Sequence, residues 1–396
     1  MMTPRLLTCL LTLSLFSPLL AQPKRNLGEV SVTVDNATIP VRVTASNAEL
    51  QTLARKAFAL HGRYRDGGAA PAYAFKFTAV APTQVRVDIT RGAANEAVAS
   101  QMFTGANARQ ALLRAADFAV EKTNGLGLRG FFTARLAFVS QRSGRGEVLV
   151  SDLFLDDGKQ LTHDNAHVLT PRWSPNGSRV IFTSYFRTGA PDIYAADAAT
   201  GRRETIVSLR GTNTGARFSP DGRQIAMTLS GSGSTEIYVA NAQGKQISAR
   251  TRSDTAKSSP CWSPDGSQII FAMEPGPQLY VMPAGGGAPR RVNVGYRYAA
   301  EPDWSTTRRN LIACTVNAGG SYQIAVHDLN TGATKVVSKA SFDAVEPSWL
   351  ADGRHLVYTA RDRTSTQLAV LDTETGKSTA LSSFGAAAKQ ASVWTP

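Results

Sequence analysis

An aromatic residue followed by a tight turn recurs through the second two-thirds of the chain, and no other feature limits the fold as much. The best copies are Trp173-Ser174-Pro175-Asn176-Gly177, Phe218-Ser219-Pro220-Asp221-Gly222 and Trp262-Ser263-Pro264-Asp265-Gly266. Weaker copies stand at Trp304-Ser305 and Trp349-Leu350-Ala351-Asp352-Gly353, and a last one, Val393-Trp394-Thr395-Pro396, ends the sequence. From aromatic to aromatic the steps are 45, 44, 42, 45 and 45 residues, the length of a four-stranded propeller blade. In the full motif, Pro presets one corner of the turn, Asp or Asn bonds its own backbone, and Gly takes a left-handed position. The fourth copy, Ser305-Thr306-Thr307-Arg308, has neither Pro nor Gly.

β-rich runs follow each turn, such as Val180-Ile181-Phe182 and Asp192-Ile193-Tyr194, and a glycine precedes the final strand of the unit. The first unit starts at Arg135-Leu136-Ala137-Phe138-Val139 and has no aromatic turn of its own. It has three strands, and the orphan Val393-Trp394 supplies a fourth. Closing the ring in this way removes the exposed sheet edges. The expected fold is mainly β: a six-bladed β-propeller at 129–396, closed by a strand at 391–396, behind a small N-terminal α/β domain at 22–128.

In the α/β part, Ser46 and Glu49 have capping-box spacing, with Leu50, Leu53, Ala57 and Phe58 on one helical face. Tyr73, Phe75 and Phe77 alternate as a strand, as do Val85, Val87 and Ile89. A second helix is expected from about Asn107 to Lys122.

The chain carries a net charge of +13, which favours anionic partners. Nucleic acid is excluded as a partner because residues 1–21 read as a secretory signal. Arg5 gives a short positive start, Leu6–Leu20 is apolar, and Ala21 offers a cleavage site. The apolar run is shorter than the ~20 residues that span a bilayer. The mature chain keeps Cys261 and Cys314, too few for a disulfide framework, and both are expected as small buried apolar residues.

The order of these parts, with the junction Val120-Glu121-Lys122-Thr123-Asn124-Gly125 and the run Arg129-Gly130-Phe131-Phe132-Thr133-Ala134-Arg135, resembles the TolB family, soluble periplasmic components of the Tol–Pal envelope system. The resemblance implies a monomeric, non-enzymatic periplasmic protein with two partners. A Pal-like peptidoglycan-associated lipoprotein would dock on the propeller face. A TolA-like inner-membrane protein would take the mature N-terminal arm, Gln22, Pro23, Lys24, Arg25 and Asn26. Supporting outer-membrane integrity and constriction during cell division is the role this implies.

In a propeller, the segments entering the innermost strands lie at the channel mouth. The candidate contact residues there are His167, Thr212, Asn213, Lys257, Ser258, Ser259, Glu301 and Glu346. No Gly-x-Ser-x-Gly elbow and no His-Glu-x-x-His occurs, so no catalytic residue is assigned. His163 and His167 read as loop residues rather than metal ligands. Asp152, Asp156 and Asp157 lack the acidic ladder of a calcium loop and read as a hairpin turn. No metal and no cofactor is expected. A periplasmic propeller hydrolase or lactonase is the alternative, as is an unrelated scaffold propeller, but the five histidines do not fall at equivalent repeat positions.

Overall fold

Each repeat becomes one four-stranded antiparallel sheet, and there are six of them. The computed structural model describes residues 38–68, 70–126, 128–141, 145–231, 233–381 and 387–396. The expected signal at 1–21 and the arm Gln22–Asn26 lie outside the described residues.

The N-terminal layer is a five-stranded sheet carrying two helices. Strand β1 (Ile39–Ala45) pairs in parallel with β2 (Tyr64–Asp66) and β3 (Tyr73–Ala81). Strands β4 (Gln84–Arg91) and β5 (Glu96–Thr104) follow antiparallel. Helix α1 (Ala48–His61) buries Leu50, Leu53, Ala57 and Phe58, and α2 (Ala108–Thr123) buries Leu112, Leu113, Ala116 and Val120. The cap of α1 corrects the capping-box reading. Asn47, not Ser46, accepts the Leu50 N–H at 2.9 Å, while Ser46 Oγ accepts from the Ala79 N–H across the sheet.

The propeller begins with β6 (Arg135–Ser140), β7 (Glu147–Asp152) and β8 (Lys159–Gln160). The closing strand Ala388–Trp394 pairs antiparallel with β6, with Val393 opposite Leu136 and Trp394 opposite Arg135. It starts upstream of the expected 391–396 segment and stops at the tryptophan. The other innermost strands do the same, running Val168–Trp173, Asn213–Phe218, Lys257–Trp262, Ala299–Trp304 and Asp343–Trp349. Successive innermost strands touch, and the closing strand touches both its neighbours, so the ring is complete.

The aromatics stitch the blades together. The Trp262 indole N–H donates to the Arg217 carbonyl at 3.1 Å, and Trp349 does so to the Asp303 carbonyl at 3.1 Å. The Trp394 indole crosses to the Pro175 carbonyl at 3.0 Å. The Ser-Pro-Asp-Gly turns close as β-turns, with the Gly222 N–H on the Ser219 carbonyl at 2.8 Å. The fourth copy, without Pro or Gly, turns instead on the Leu311 N–H to Arg308 carbonyl bond.

Two buried clusters join the N-terminal layer to the blades. The Asp117 carboxylate on α2 accepts the N–H groups of Gly130, Phe131, Phe132 and Thr133 and the Thr133 hydroxyl, at 2.6–3.2 Å. That locks the segment entering β6 onto the helix, with Phe131 and Phe132 fully buried. The second cluster is His355, fully buried, with Nδ1 on Asp352 at 2.5 Å and Nε2 on the His61 carbonyl at 2.8 Å. Burial and the neighbouring His355 hold His61 well below the usual histidine range.

The acidic hairpin 152–157 is a third contact. Arg109 of α2 reaches Asp152 at 2.7 Å and Asp156 at 2.9 Å, and Arg135 reaches Asp157 at 2.6 Å. Cys261 and Cys314 are free and buried. Among the described residues no helix is long and apolar enough to cross a membrane.

Asp117→Ala leaves several buried donors unsatisfied at once. We expect a loss of about 3 kcal/mol or more in urea unfolding. A loss under about 1 kcal/mol would show that the clamp is not what holds the junction.

Candidate functional site

The channel wall is set by one local device used six times. Every innermost strand slips register against its neighbour. At or beside each slip stands a residue with left-handed φ: Thr170 (50°), Gly215 (67°), Ser259 (55°), Glu301 (55°), Glu346 (58°) and Gln390 (58°). Only one of these is glycine, so the other five carry strain of order 1 kcal/mol each. A bulge of this kind re-aims side chains. Here it produces a ring around the channel of five polar side chains and one glycine.

Hydrogen bonds between blades repay the strain. The Glu346 N–H donates to Glu301 Oε2 at 2.9 Å, and the Thr170 N–H donates to Gln390 Oε1 at 3.0 Å. Gln390 Nε2 donates to Glu346 Oε1 at 2.8 Å. Two residues further along each strand lies a second ring, Arg172, Arg217, Cys261, Asp303, Ser348 and Ser392. Arg217 bridges to Asp303 at 2.6 Å, and the other Asp303 oxygen accepts the Trp349 N–H at 2.8 Å. Burial, then the like charge of Arg217, push the Arg172 guanidinium down to about 10, so it stays charged at neutral pH. Burial and the neighbouring Glu346 push the Glu301 carboxyl up.

The mouth above these rings is framed by short loops pinned from behind. Thr162 and Thr251 donate to Glu147 and Glu236, and Ser338 donates to Gln323 at 2.7 Å. The same three hydroxyls accept the N–H groups of Val148, Ile237 and Ile324. These side chains hold the loops that lead into the following blades.

The eight candidate contact residues separate into three depths. His167 and Ser258 are exposed and Thr212 is half-buried, all at the rim. Ser259, Glu301 and Glu346 sit deeper, in the bulge ring. Asn213 and Lys257 are corrections: both side chains are buried in the wall. Asn213 donates to the Leu209 carbonyl at 2.8 Å, and Lys257 pairs with Glu236 at 3.0 Å. Their bonds tie the loops that lead into the innermost strands. Thr170, Gly215, Gln390 and the whole second ring escaped the sequence reading. In five blades these positions stand three and one residues before the repeated aromatic, but in the closing strand Gln390 and Ser392 stand four and two residues before Trp394, so the spacing alone does not align them.

His163 and His167 are exposed loop residues. Among the described residues the group of His, Cys, Asp or Glu close enough to share a cation is His61, Asp352 and His355, all buried. Hydrogen bonds already occupy both His355 nitrogens, so the trio acts as a brace.

Comparison with known proteins follows the same outline. The family model for the TolB beta propeller domain matches residues 123–396. The Tol-Pal system protein TolB of Bordetella pertussis is 30% identical over 175 residues, covering 43% of this chain and 39% of that protein. The matched segment therefore spans well under half the length of that relative. The crystal structure of TolB from Acinetobacter baumannii superposes with a TM-score of 0.80 at 22% identity, covering 90% of this chain and 96% of that one. A nidogen/laminin complex superposes with a TM-score of 0.53 at 15% identity, over 66% of this chain and 98% of that one. At these identities the two structures share the fold.

A raised Glu301 pKa gives stability a definite sign with pH. The folded state favours the protonated carboxyl, so its contribution is intact below the unfolded value, about 4.3, and is lost as pH rises through the folded value. Glu301→Gln removes that loss. Between about pH 4.5 and pH 8 the melting temperature of the parent should fall relative to the variant. Parallel curves would contradict the placement of Glu301 in the channel wall.

Proposed function

Because the chain belongs to the TolB β-propeller family, we propose that it is the soluble binding component of a Tol–Pal-type complex in the periplasm. In this reading it is exported by the signal at 1–21 and has no catalytic role. A Pal-like lipoprotein docks over the channel mouth. A TolA-like inner-membrane protein takes the arm Gln22–Asn26. The complex supports outer-membrane integrity and envelope constriction during cell division.

The observation that supports this most is the family match across the propeller, from the end of α2 through the closing strand. The geometry is consistent with it. The rim offers His167, Thr212 and Ser258 on short loops fixed from behind, a surface that grips through small polar contacts and bridging water. The channel carboxylates below, Glu301 and Glu346, already accept hydrogen bonds from the wall. A hydrolase would need inward groups free to reach a substrate.

The test is a binding isotherm between the mature protein and the soluble domain of the Pal-like lipoprotein of the same organism. Thr212→Glu combined with Ser258→Arg should weaken binding at least about tenfold with an unchanged melting temperature. Affinity within about twofold of the parent, on an intact fold, would move the docking site elsewhere.

A further inference from the structure

The end of the propeller that carries the rim is strongly cationic. Innermost and second strands are antiparallel, so the connections entering the former and leaving the latter share one end. Six such connections each contribute one exposed cation: Arg187 in 185–191, Arg210 in 208–212, Arg252 in 250–256, Arg297 in 292–298, Lys339 in 337–342 and Arg363 in 362–365. None of the six forms an ion pair with a described carboxylate. By contrast Arg203, Arg361 and Lys257, near the same end, are matched to Asp164, Asp343 and Glu236.

The exposed acids on this end are fewer. They are Asp254, Glu274 and Asp362, and the last is tied into its own turn by Thr364 and Ser365. Three large apolar side chains stand among the cations: Phe186 is 47% exposed, Leu209 51% and Phe342 47%. Arg with exposed aromatic and aliphatic anchors is the composition of an interface centre, not of an ordinary solvated surface.

We propose that this ring is the recognition surface for an acidic protein face, one whose Asp and Glu side chains meet the six cations while apolar side chains cover Phe186, Leu209 and Phe342. The inference rests on the docking site proposed above and names the chemistry of its partner. Charges spread around the rim steer the encounter and fix the orientation, and the apolar anchors hold the complex. A face of opposite charge gains at each of the six connections it crosses. A neutral or basic face is rejected by the same residues.

The test uses the mature protein and two probes: the soluble domain of the organism's Pal-like lipoprotein, and a Glu-rich peptide carrying one Trp. The ring variant is Arg210→Glu, Arg252→Glu, Arg297→Glu. A control with the same net charge carries Arg223→Glu and Lys245→Glu on turns at the opposite end and Arg290→Glu in the outermost strand of its blade. The expected result is that the ring variant binds the lipoprotein domain at least about tenfold more weakly, the control binds within about twofold of the parent, and both melt normally. Raising salt from about 0.1 M to about 0.5 M should weaken the parent and the control more than the ring variant.

Equal binding by the ring variant and the control overturns the cationic ring and leaves the docking site standing. If the parent ignores the lipoprotein domain, the docking proposal fails and the peptide decides. Peptide binding that the ring variant loses and the control keeps supports the acidic-face inference, and no peptide binding overturns it. Binding to anionic phosphatidylglycerol vesicles with no binding to either protein probe also overturns it, in favour of a membrane surface.

Discussion

The rest of the structure depends on the seam between the first strand of the propeller and the last. Strand β6 has its outer neighbour, β7, from its own unit, but its inner neighbour comes from the far end of the chain. The pairing covers a sheet edge that would otherwise stay open. It also brings Trp394 across to the next blade, where its indole lies 5.8 Å from that of Trp173 and donates to Pro175. Three of the six left-handed residues, Thr170, Gln390 and Glu346, meet at this seam. Thr170 reaches Gln390 and Trp173 reaches Ser392 through backbone N–H groups that face the closing strand, and Gln390 also reaches Glu346 on its other side. Without closure the strained bulges on both flanks lose their partners.

The N-terminal layer leans on the same seam from outside. Asp117 fixes the segment just before β6, and the Thr395 hydroxyl, just after the closing strand, meets the Gly130 carbonyl at 3.3 Å. The His355 brace ties the end of α1 to the last blade, next to the seam. The first blade, the last blade and both helices therefore meet in one buried region, rich in phenylalanine and histidine.

Much of this was legible in the sequence because the repeat is a geometric statement. The spacing of Trp173, Phe218, Trp262, Trp304, Trp349 and Trp394 gave blade number, strand order and the closing strand. What escaped has physical reasons. A left-handed bulge is invisible when filled by Thr, Ser, Glu and Gln, which share no backbone signature. The channel rings were therefore read as rim or not read at all. Asn213 and Lys257 look like surface residues until their partners, the Leu209 carbonyl and Glu236, are known to lie behind them. Strand β5 is mostly exposed and shows no clean alternation, so no periodic signal marks it. Ser46 and Asn47 both suit an N-cap, and only the sheet contact of Ser46 decides between them.

The most direct measurement of the closed seam compares two glycines at equivalent turns. Both have left-handed φ, 67° at Gly177 and 71° at Gly222. A Cβ at Gly222 would meet Pro175 at an ordinary 3.9 Å, whereas one at Gly177 would fall 2.3 Å from the Trp394 indole. Alanine at either site carries the same backbone strain, about 1 kcal/mol. Only Gly177→Ala collides with the wedge of the closing strand, an overpacking cost of about 1–3 kcal/mol more. Urea unfolding should show that excess, and it should vanish when both glycine variants are remade in a Trp394→Ala background. Equal losses for the two variants in the parent would contradict a ring shut by Trp394.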